Sequence, residues 1–305
     1  LAKNPLLVLQ PLTRLLCSKV MNFLNYITNK LFKKSEPESI SVEKRYLSMC
    51  CIVKDENDYI EEWIRYHLAI GIEHFFIYDN GSKTDIKTTL KELGLLKYAS
   101  VTNFPGRNQH VKAYNHCLKN YGKTSQWIAF IDVDEFIVPK NADSYSLPSL
   151  LRQYENFAGL GVNWLIFGSG GLLKKPVSQL KTFVLRSEPD FLPNKHIKSI
   201  VQPQYVESAL KSHCFRYLKE MFCVNENFEP ILDSFSENSV EKIQLNHYYC
   251  RSREEFKEKI SRGISDTKRE RKWEEFHYHD SQSNKIRDET IINILERINS
   301  DQCVN

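Results

Sequence analysis

The sequence predicts an α/β fold, a mostly parallel sheet flanked by helices. Three observations carry that prediction. Apolar, β-favouring runs alternate with amphipathic stretches through the first half, in the order strand, helix, strand, helix, strand, helix, strand. The fourth run, Trp127-Ile128-Ala129-Phe130-Ile131, is short and wholly apolar, which suits a strand buried on both faces. The first, second and fourth runs end in acids, and this places carboxylates on one edge, where open α/β sheets bind ligands.

The elements follow in order. In residues 1 to 34, Leu12, Leu15, Leu16, Val20, Phe23, Leu24, Ile27 and Leu31 recur at helical spacing, with Arg14, Lys19, Lys30 and Lys33 between them and Pro11 to open the helix. This basic amphipathic segment reads either as an anchor on an anionic membrane surface or as a helix packed on its own domain or a partner. Residues 1–41 are therefore set apart as helix and linker, 42–275 as the main domain and 276–305 as a helical tail. A start at Leu1 rather than Met leaves room for a preceding segment.

Tyr46 to Val53 is the first strand. Asp58-Tyr59-Ile60-Glu61 gives an acid-x-x-Glu capping signal, and Ile60, Trp63, Ile64 and Leu68 form the buried face of a helix stopped by Gly71. His67 lies on that face and reads as a core histidine. His74 to Tyr78 is the second strand, turned by Asp79-Asn80-Gly81-Ser82. Thr84 to Leu93 is a helix closed by Gly94, and Ala99 to Phe104 a third strand. Asn108 to Tyr121 is a helix with Val111, Tyr114, Leu118 and Tyr121 inward.

Beyond the fourth strand the character changes. Trp164-Leu165-Ile166-Phe167-Gly168-Ser169-Gly170 offers an aromatic-flanked glycine turn, where Trp164 or Phe167 stacks on a sugar or sits in the core. His196 to Val201 alternates like a strand with one polar face, and Leu245 to Tyr249 reads as another strand end. Arg251 to Lys272 reads as one basic helix, nine Lys/Arg against five acids, with Arg262-Gly263 in its middle. It either closes over a diphosphate or, as is commoner, presents a solvated charged face.

Bulk numbers narrow the function classes. The 305 residues are 41% hydrophobic and 26% charged, enough for one large or two small domains. Net charge is +4, and the six Lys/Arg of residues 1 to 34 leave about −2 for the rest, so nucleic acid is not an expected partner. No stretch reaches the ~18 apolar residues of a membrane span. Eight cysteines are scattered without a Cys-x-x-Cys, which argues against zinc and for buried, reduced thiols in a cytoplasmic protein, peripheral on the inner face of a membrane if the helix anchors. The sequon Asn80-Gly81-Ser82 lies in the turn and is discounted as a glycan acceptor.

The chemistry gathers at Asp132-Val133-Asp134-Glu135. Three acids beside a buried strand repel one another unless a cation sits among them, so Asp-x-Asp here reads as a divalent-metal site, with a helix cap or turn of solvated acids as the plain alternative. Asp55 and Asp79 end neighbouring strands at the same edge, and an Asp after a second strand suits a ribose or base contact. No glycine-rich phosphate loop is present, so phosphates must be met by metal and basic side chains.

Several spaced blocks resemble glycosyltransferase family 92 and its family-2-like relatives. They are Lys54-Asp55-Glu56-Asn57, Glu62-Trp63, Tyr66-His67, Gly71 to Phe75, Tyr78 to Ser82, Gln109, Trp127 to Phe136, Trp164 to Gly170, Lys195 to Val201 and Asn246 to Tyr249. They cover roughly residues 47 to 270, and the later blocks are the more specific. The resemblance implies a GT-A (Rossmann-like) fold, a nucleotide-sugar donor, usually UDP-linked, Mn²⁺ or Mg²⁺, a glycan or glycolipid acceptor and inversion at the anomeric carbon. By position it implies metal and diphosphate contacts at Asp132 and Asp134, with His247 in reach of the metal. Donor contacts fall to Asp55, Asp79, Gln109, Lys198 and Arg262, with Lys259 as a further cation. Substrate contacts fall to Trp164, Gly168 and Ser169. The match does not fix the catalytic base: Glu188, Asp190, Glu207 and Glu229 are candidates, and Asp190 is favoured. Many relatives would place a His where Gly171-Leu172 stands.

Two other classes fit parts of the pattern. A haloacid-dehalogenase-type phosphatase also has Asp-x-Asp after an apolar strand, but it wants Thr or Val where Phe136 stands. An inactive, membrane-associated carbohydrate- or nucleotide-binding protein would keep the fold without turnover, yet idle buried acids are costly.

Overall fold

Strand β1 (Arg45–Val53) is the axis of the sheet, and its side chains explain why. Leu47, Met49, Cys51 and Val53 enter one apolar cluster, while Cys50 and Ile52 enter another on the opposite face. A strand alternates faces every residue, so a strand covered on both sides must be apolar throughout. The computed structural model describes residues 44–140, 145–263 and 270–302. The chain divides into two units, residues 1–43 and 44–305. The expected N-terminal amphipathic helix lies outside the described residues.

In chain order β1 leads to α1 (Ile60–Ala69), β2 (His74–Asp79), α2 (Ile86–Glu92), β3 (Ala99–Asn103), α3 (His110–Tyr121), β4 (Ser125–Phe130) and β5 (Glu135–Pro139). Then come α4 (Leu147–Leu151), β6 (Gly159–Ile166), α5 (Gln179–Thr182), β7 (Leu185–Arg186), β8 (Ile197–Val201), β9 (Val206–Ala209), β10 (Phe215–Tyr217), β11 (Cys223–Val224), β12 (Pro230–Ile231) and β13 (Ile243–His247). The described part closes with α6 (Arg253–Arg262), α7 (Trp273–Gln282), β14 (Ile286–Arg287) and α8 (Thr290–Gln302).

The main sheet runs β12-β11-β6-β8-β4-β1-β2-β3, with β13 pairing both β6 and β5. β1 is parallel to β2 and β4, and β2 to β3, as the strand–helix alternation requires. β8 lies antiparallel between β4 and β6. The expectation of a mostly parallel sheet flanked by helices holds. α1 covers one face through Ile60, Trp63, Ile64 and Tyr66, and α3 the other through Ala113, Tyr114 and Cys117. Trp63 and Trp127 are fully buried, and truncating either to Ala should cost about 3–5 kcal/mol.

Several local expectations need correction. The Asp58/Glu61 cap does not form: Tyr59 is the N-cap, Asp58 pairs with Lys175 and Glu61 with Arg65. On α3 the buried stripe is His110, Ala113, Tyr114 and Cys117, while Val111, Leu118 and Tyr121 flank it half-buried. β8 has no solvated polar face: all five residues are buried, and Lys198 and Ser199 find internal partners. The single helix expected over Arg251–Lys272 ends at Arg262, because Gly263 takes φ 80°, where a side chain would be strained. α7 starts afresh at Trp273. Ile291 and Ile294, from the expected tail, are buried in the principal core.

Other readings fit the structure. His67 is a core histidine, its Nδ1 against the Trp63 carbonyl at 2.8 Å. Six described cysteines are free and buried. The Asn80 amide donates to the carbonyls of Phe104 and Gly106, which leaves a buried side chain unsuited to carry a glycan.

Candidate functional site

The site grows from the turn between β4 and β5. Glu135, fully buried, accepts a 2.8 Å hydrogen bond from the Asp132 amide, and the Asp134 carbonyl accepts one from Tyr248. This turn presents Asp132 and Asp134 to a cavity of about 950 Å³. β8 brings Lys198, whose Nζ lies 2.8 Å from Asp132 Oδ2 and 3.7 Å from Glu135. The first turn of α3 brings His110, 3.5 Å from Asp132 Oδ1. α6 brings Lys259, whose Nζ lies 2.6 Å from Asp134 Oδ2, and the end of β13 brings His247, 3.8 Å from that oxygen.

Burial and charge pull the pKa values apart. Burial alone would raise both aspartates, but Lys198 and His110 bring Asp132 below its ordinary value, and Lys259 with His247 brings Asp134 well below it. Glu135 goes the other way: burial dominates, its neighbours Asp132 and Asp134 add to it, and Lys198 compensates only in part. Two carboxylates held toward their ionised form therefore face the cavity, over one carboxyl that burial pushes toward its neutral form. Burial lowers Lys259 despite Asp134, whereas Lys198 is raised because Asp132 and Glu135 outweigh its burial.

A second ion cluster closes the same rim. Glu56 pairs with Arg251 at 2.6 Å and Arg262 at 2.7 Å, and Arg262 also donates to the carbonyls of Lys54 and Asp55. Burial would raise Glu56, and the two guanidiniums bring it down instead. Arg262 thus ties α6 to the end of β1.

An aromatic wall adjoins the carboxylates, with His247 3.8 Å from Asp134. Trp164, on β6, lines the cavity with His213, His247 and Tyr249. Its ring lies 4.3 Å from His247, 4.8 Å from His196 and 5.2 Å from His213. Burial lowers the pKa of His213 to about 3 and lowers those of His196 and His247, so these imidazoles stay neutral near neutral pH.

Of the residues expected at the site, Asp132, Asp134, Trp164, His247, Lys259 and Arg262 line the cavity, and Lys198 touches it through Asp132. The others do not. Asp79 spends its oxygens on the amides of Ser82 and Ile86, and Asp55, at φ 53°, accepts from the Lys83 amide. Gln109 precedes α3 with its side chain over Gly106. Gly168 presses against Ser283 and Asn284, where a side chain would collide, and the Ser169 amide donates to Asp280. Both brace the end of α7 rather than a substrate. Asp190, with Glu188, Glu207 and Glu229, is exposed and outside the cavity lining. Sequence reasoning missed Glu56, His110 and Arg251. Glu56 sat beside the favoured Asp55, and the positive φ of Asp55 is what turns Glu56 inward.

Among the described residues, no group of three His, Cys, Asp or Glu side chains forms a preformed metal site, so Asp132, Asp134 and His247 are neighbours and not a closed cage. Two carboxylates and an imidazole still suit Mn²⁺ or Mg²⁺ held by one or two carboxylates with substrate phosphates supplying the remaining ligands. His247 turns its Nε2 toward Asp134 Oδ2 at 3.8 Å, which is consistent with that donor set.

Comparison with known proteins adds an independent line. A family model, Glycosyltransferase family 92, matches residues 45–301. A glycosyltransferase family 92 protein of Ricinus communis is 28% identical over 242 residues, 77% of this chain and 41% of that protein. A galactan β-1,4-galactosyltransferase of Arabidopsis thaliana is 36% identical over 110 residues, 32% of this chain and 21% of that protein. A solved mannosyltransferase of Pyrobaculum calidifontis, in complex with GDP-Man and Mn²⁺, overlays with a TM-score of 0.33 at 11% identity, covering 61% of this chain and 52% of that one. The chain spans less than half the length of these curated relatives.

Proposed function

The chain belongs to glycosyltransferase family 92, and from that premise we propose that it moves a sugar from a UDP-linked donor to a glycan or glycolipid acceptor, with a divalent metal and inversion at the anomeric carbon. The observation that carries the proposal is the pair Asp132 and Asp134, ionised and facing a large cavity from the end of β4. A bound Mn²⁺ or Mg²⁺ would neutralise the donor diphosphate there.

The chain's own residues do the rest. Asp132 and Asp134 supply carboxylate oxygens, and His247 stands beside Asp134. Lys198 and Lys259 hold the two aspartates in place and put positive charge where a leaving diphosphate gains negative charge. Arg262 adds to that field and fixes the rim. Trp164 and the neutral imidazoles give the sugar side a water-poor wall. The acceptor proton needs a carboxylate base. Among the described residues the cavity-lining acids are Glu56, Asp132, Asp134 and Glu270; the first three are ion-paired, which favours Glu270 over Asp190 for that role.

A panel of UDP-sugars, followed for slow Mn²⁺-dependent release of UDP, tests donor and metal together without an acceptor. Release from at least one sugar, lost on chelation, is expected. UDP binding without any release would point instead to a binding-only protein. The proposed membrane-surface role of residues 1–34 rests on sequence alone. Deleting them should release the protein from anionic vesicles, and unchanged binding would overturn it.

A further inference from the structure

The lysines beside the two aspartates are not alike. Lys198 sits on β8, between β4 and β6, and meets two carboxylates, Asp132 at 2.8 Å and Glu135 at 3.7 Å. It is fully buried and, among the described residues, is not one of those that line the cavity. Lys259 does line the cavity and meets one carboxylate. Its Nζ lies 2.6 Å from Asp134 Oδ2 and donates a second bond to the Tyr249 carbonyl at 2.9 Å. His247 turns its Nε2 toward the same Oδ2, at 3.8 Å. The carboxylate oxygen nearest His247 is thus the one that the ammonium already holds.

An ammonium and a divalent cation compete for one carboxylate oxygen: they repel each other and draw on the same lone pairs. Asp134 therefore has to be released by Lys259 before it can serve as a metal ligand through that oxygen. The helix need not move for this. α6 is fixed at its start by the Ser252–Glu255 capping box. At its end Arg262 holds Glu56 at 2.7 Å and the Lys54 carbonyl at 2.6 Å. The Lys259 side chain can swing alone, because a lysine is a compact charge on a flexible stem with rotatable donors. It would swing into a cavity that Lys54, Arg107, Arg262 and Arg271 also line, so it needs an incoming anion to receive it. A donor diphosphate is such an anion.

We propose that Lys259 is an exchangeable counter-ion: it holds Asp134 while the site is empty, and gives it up for the donor's diphosphate when a divalent cation binds. No proton is transferred; the ammonium only changes partner. The proposal rests on the reading of the chain as a metal-dependent glycosyltransferase. It goes further in assigning the residue that couples metal to donor. Lys259 is a positioning residue with two stations, whereas Lys198 keeps one. The linkage is reciprocal, so metal and nucleotide each tighten the other's binding.

Mn²⁺ titrations of the whole chain, read by calorimetry with and without UDP, test it. Lys259→Met removes the counter-ion and should bind Mn²⁺ alone about tenfold tighter than the native chain, while the gain that UDP gives Mn²⁺ shrinks about fivefold. Arg262→Met takes one positive charge from the same cavity without freeing Asp134, and should tighten Mn²⁺ by about twofold at most. If Lys259→Met binds Mn²⁺ no tighter than the native chain or than Arg262→Met, the proposal is overturned and the donor reading stands. Absence of Mn²⁺ binding to the native chain, even with UDP, would remove the premise and the proposal with it. Lys259→Met also leaves buried Asp134 without its counter-ion, so its thermal midpoint should fall and Mn²⁺ should restore it. A variant that fails to fold without metal should fold with it. A midpoint or a fold that Mn²⁺ does not rescue would overturn the exchange.

Discussion

The cavity lining has a charged part and an aromatic part, and they differ in how charge is handled. On the carboxylate wall each charge has a partner within the chain: Asp132 with Lys198, Asp134 with Lys259, Glu56 with Arg251 and Arg262. On the aromatic wall Trp164, His213 and His247 bring rings whose imidazoles burial keeps toward the neutral form. The first wall is internally neutralised, so a charged ligand must displace or join existing pairs. The second offers rings without a net charge to neutralise. The difference suits a diphosphate on one side and hydroxyls on the other.

The contrast can be broken most severely at Asp134. Asp134→Ala should lower UDP-sugar turnover by about 10³-fold. It also strands buried Lys259, and removing one partner of a buried pair costs roughly 3–5 kcal/mol. The double variant Asp134→Asn/Lys259→Met removes both charges. Its thermal midpoint should return toward the native value while activity stays absent. Recovery of turnover in the double variant would show that the carboxylate is not needed.

Glu56 comes next. Glu56→Gln leaves Arg251 and Arg262 facing each other without their shared counter-charge, and urea unfolding should show a loss of about 3 kcal/mol. A smaller effect, under about 1 kcal/mol, would mean that this rim pair behaves as a surface salt bridge.

The aromatic wall should be sensitive to acid. The folded-state pKa is pushed down to about 3 for His213 and to about 4 for His279, by burial first and then by neighbouring cationic groups. An unfolded imidazole titrates near ~6.5, so the unfolded chain takes up these protons first as pH falls. Their contribution to stability is full above ~6.5 and drains away toward pH 4. The melting temperature should drop over that window, and His213→Gln should flatten part of the drop. An unchanged slope would mean that His213 is solvated.

The smallest effect is expected at Glu135. Burial and its acidic neighbours push its carboxyl toward the neutral form, so Glu135→Gln should change stability by less than about 1 kcal/mol. A large loss, measured by urea unfolding, would show that it is ionised.

How much of this was legible in the sequence follows from what is local. Strands β1 to β4 and their helices could be read because a strand covered on both faces has to be apolar throughout. Asp132 and Asp134 could be read because they end such a strand. Lys198 lies 66 residues beyond Asp132 and reaches it only because β8 inserts antiparallel beside β4. No spacing rule conveys that. Asp55 was favoured over Glu56 by pattern, but the backbone at Asp55 turns its own side chain toward Lys83 and leaves Glu56 to face inward. Asp190 had the right chemistry for a base and the wrong place, an exposed turn after β7. Gly168 and Ser169 looked like a sugar-facing turn because close backbone approach is what glycine permits; here the approaching group is the end of α7.

The central claim is that the Asp132–Asp134 edge holds a nucleoside diphosphate through a divalent cation. Calorimetric titration of the native chain with UDP, in Mn²⁺ and again in chelator, tests it most directly, with the folded Asp134→Asn/Lys259→Met variant alongside. UDP should bind the native chain at least tenfold tighter with Mn²⁺, and the variant should lose that gain. Equal UDP affinity with and without the metal, or a metal-dependent gain that persists in the variant, would contradict it.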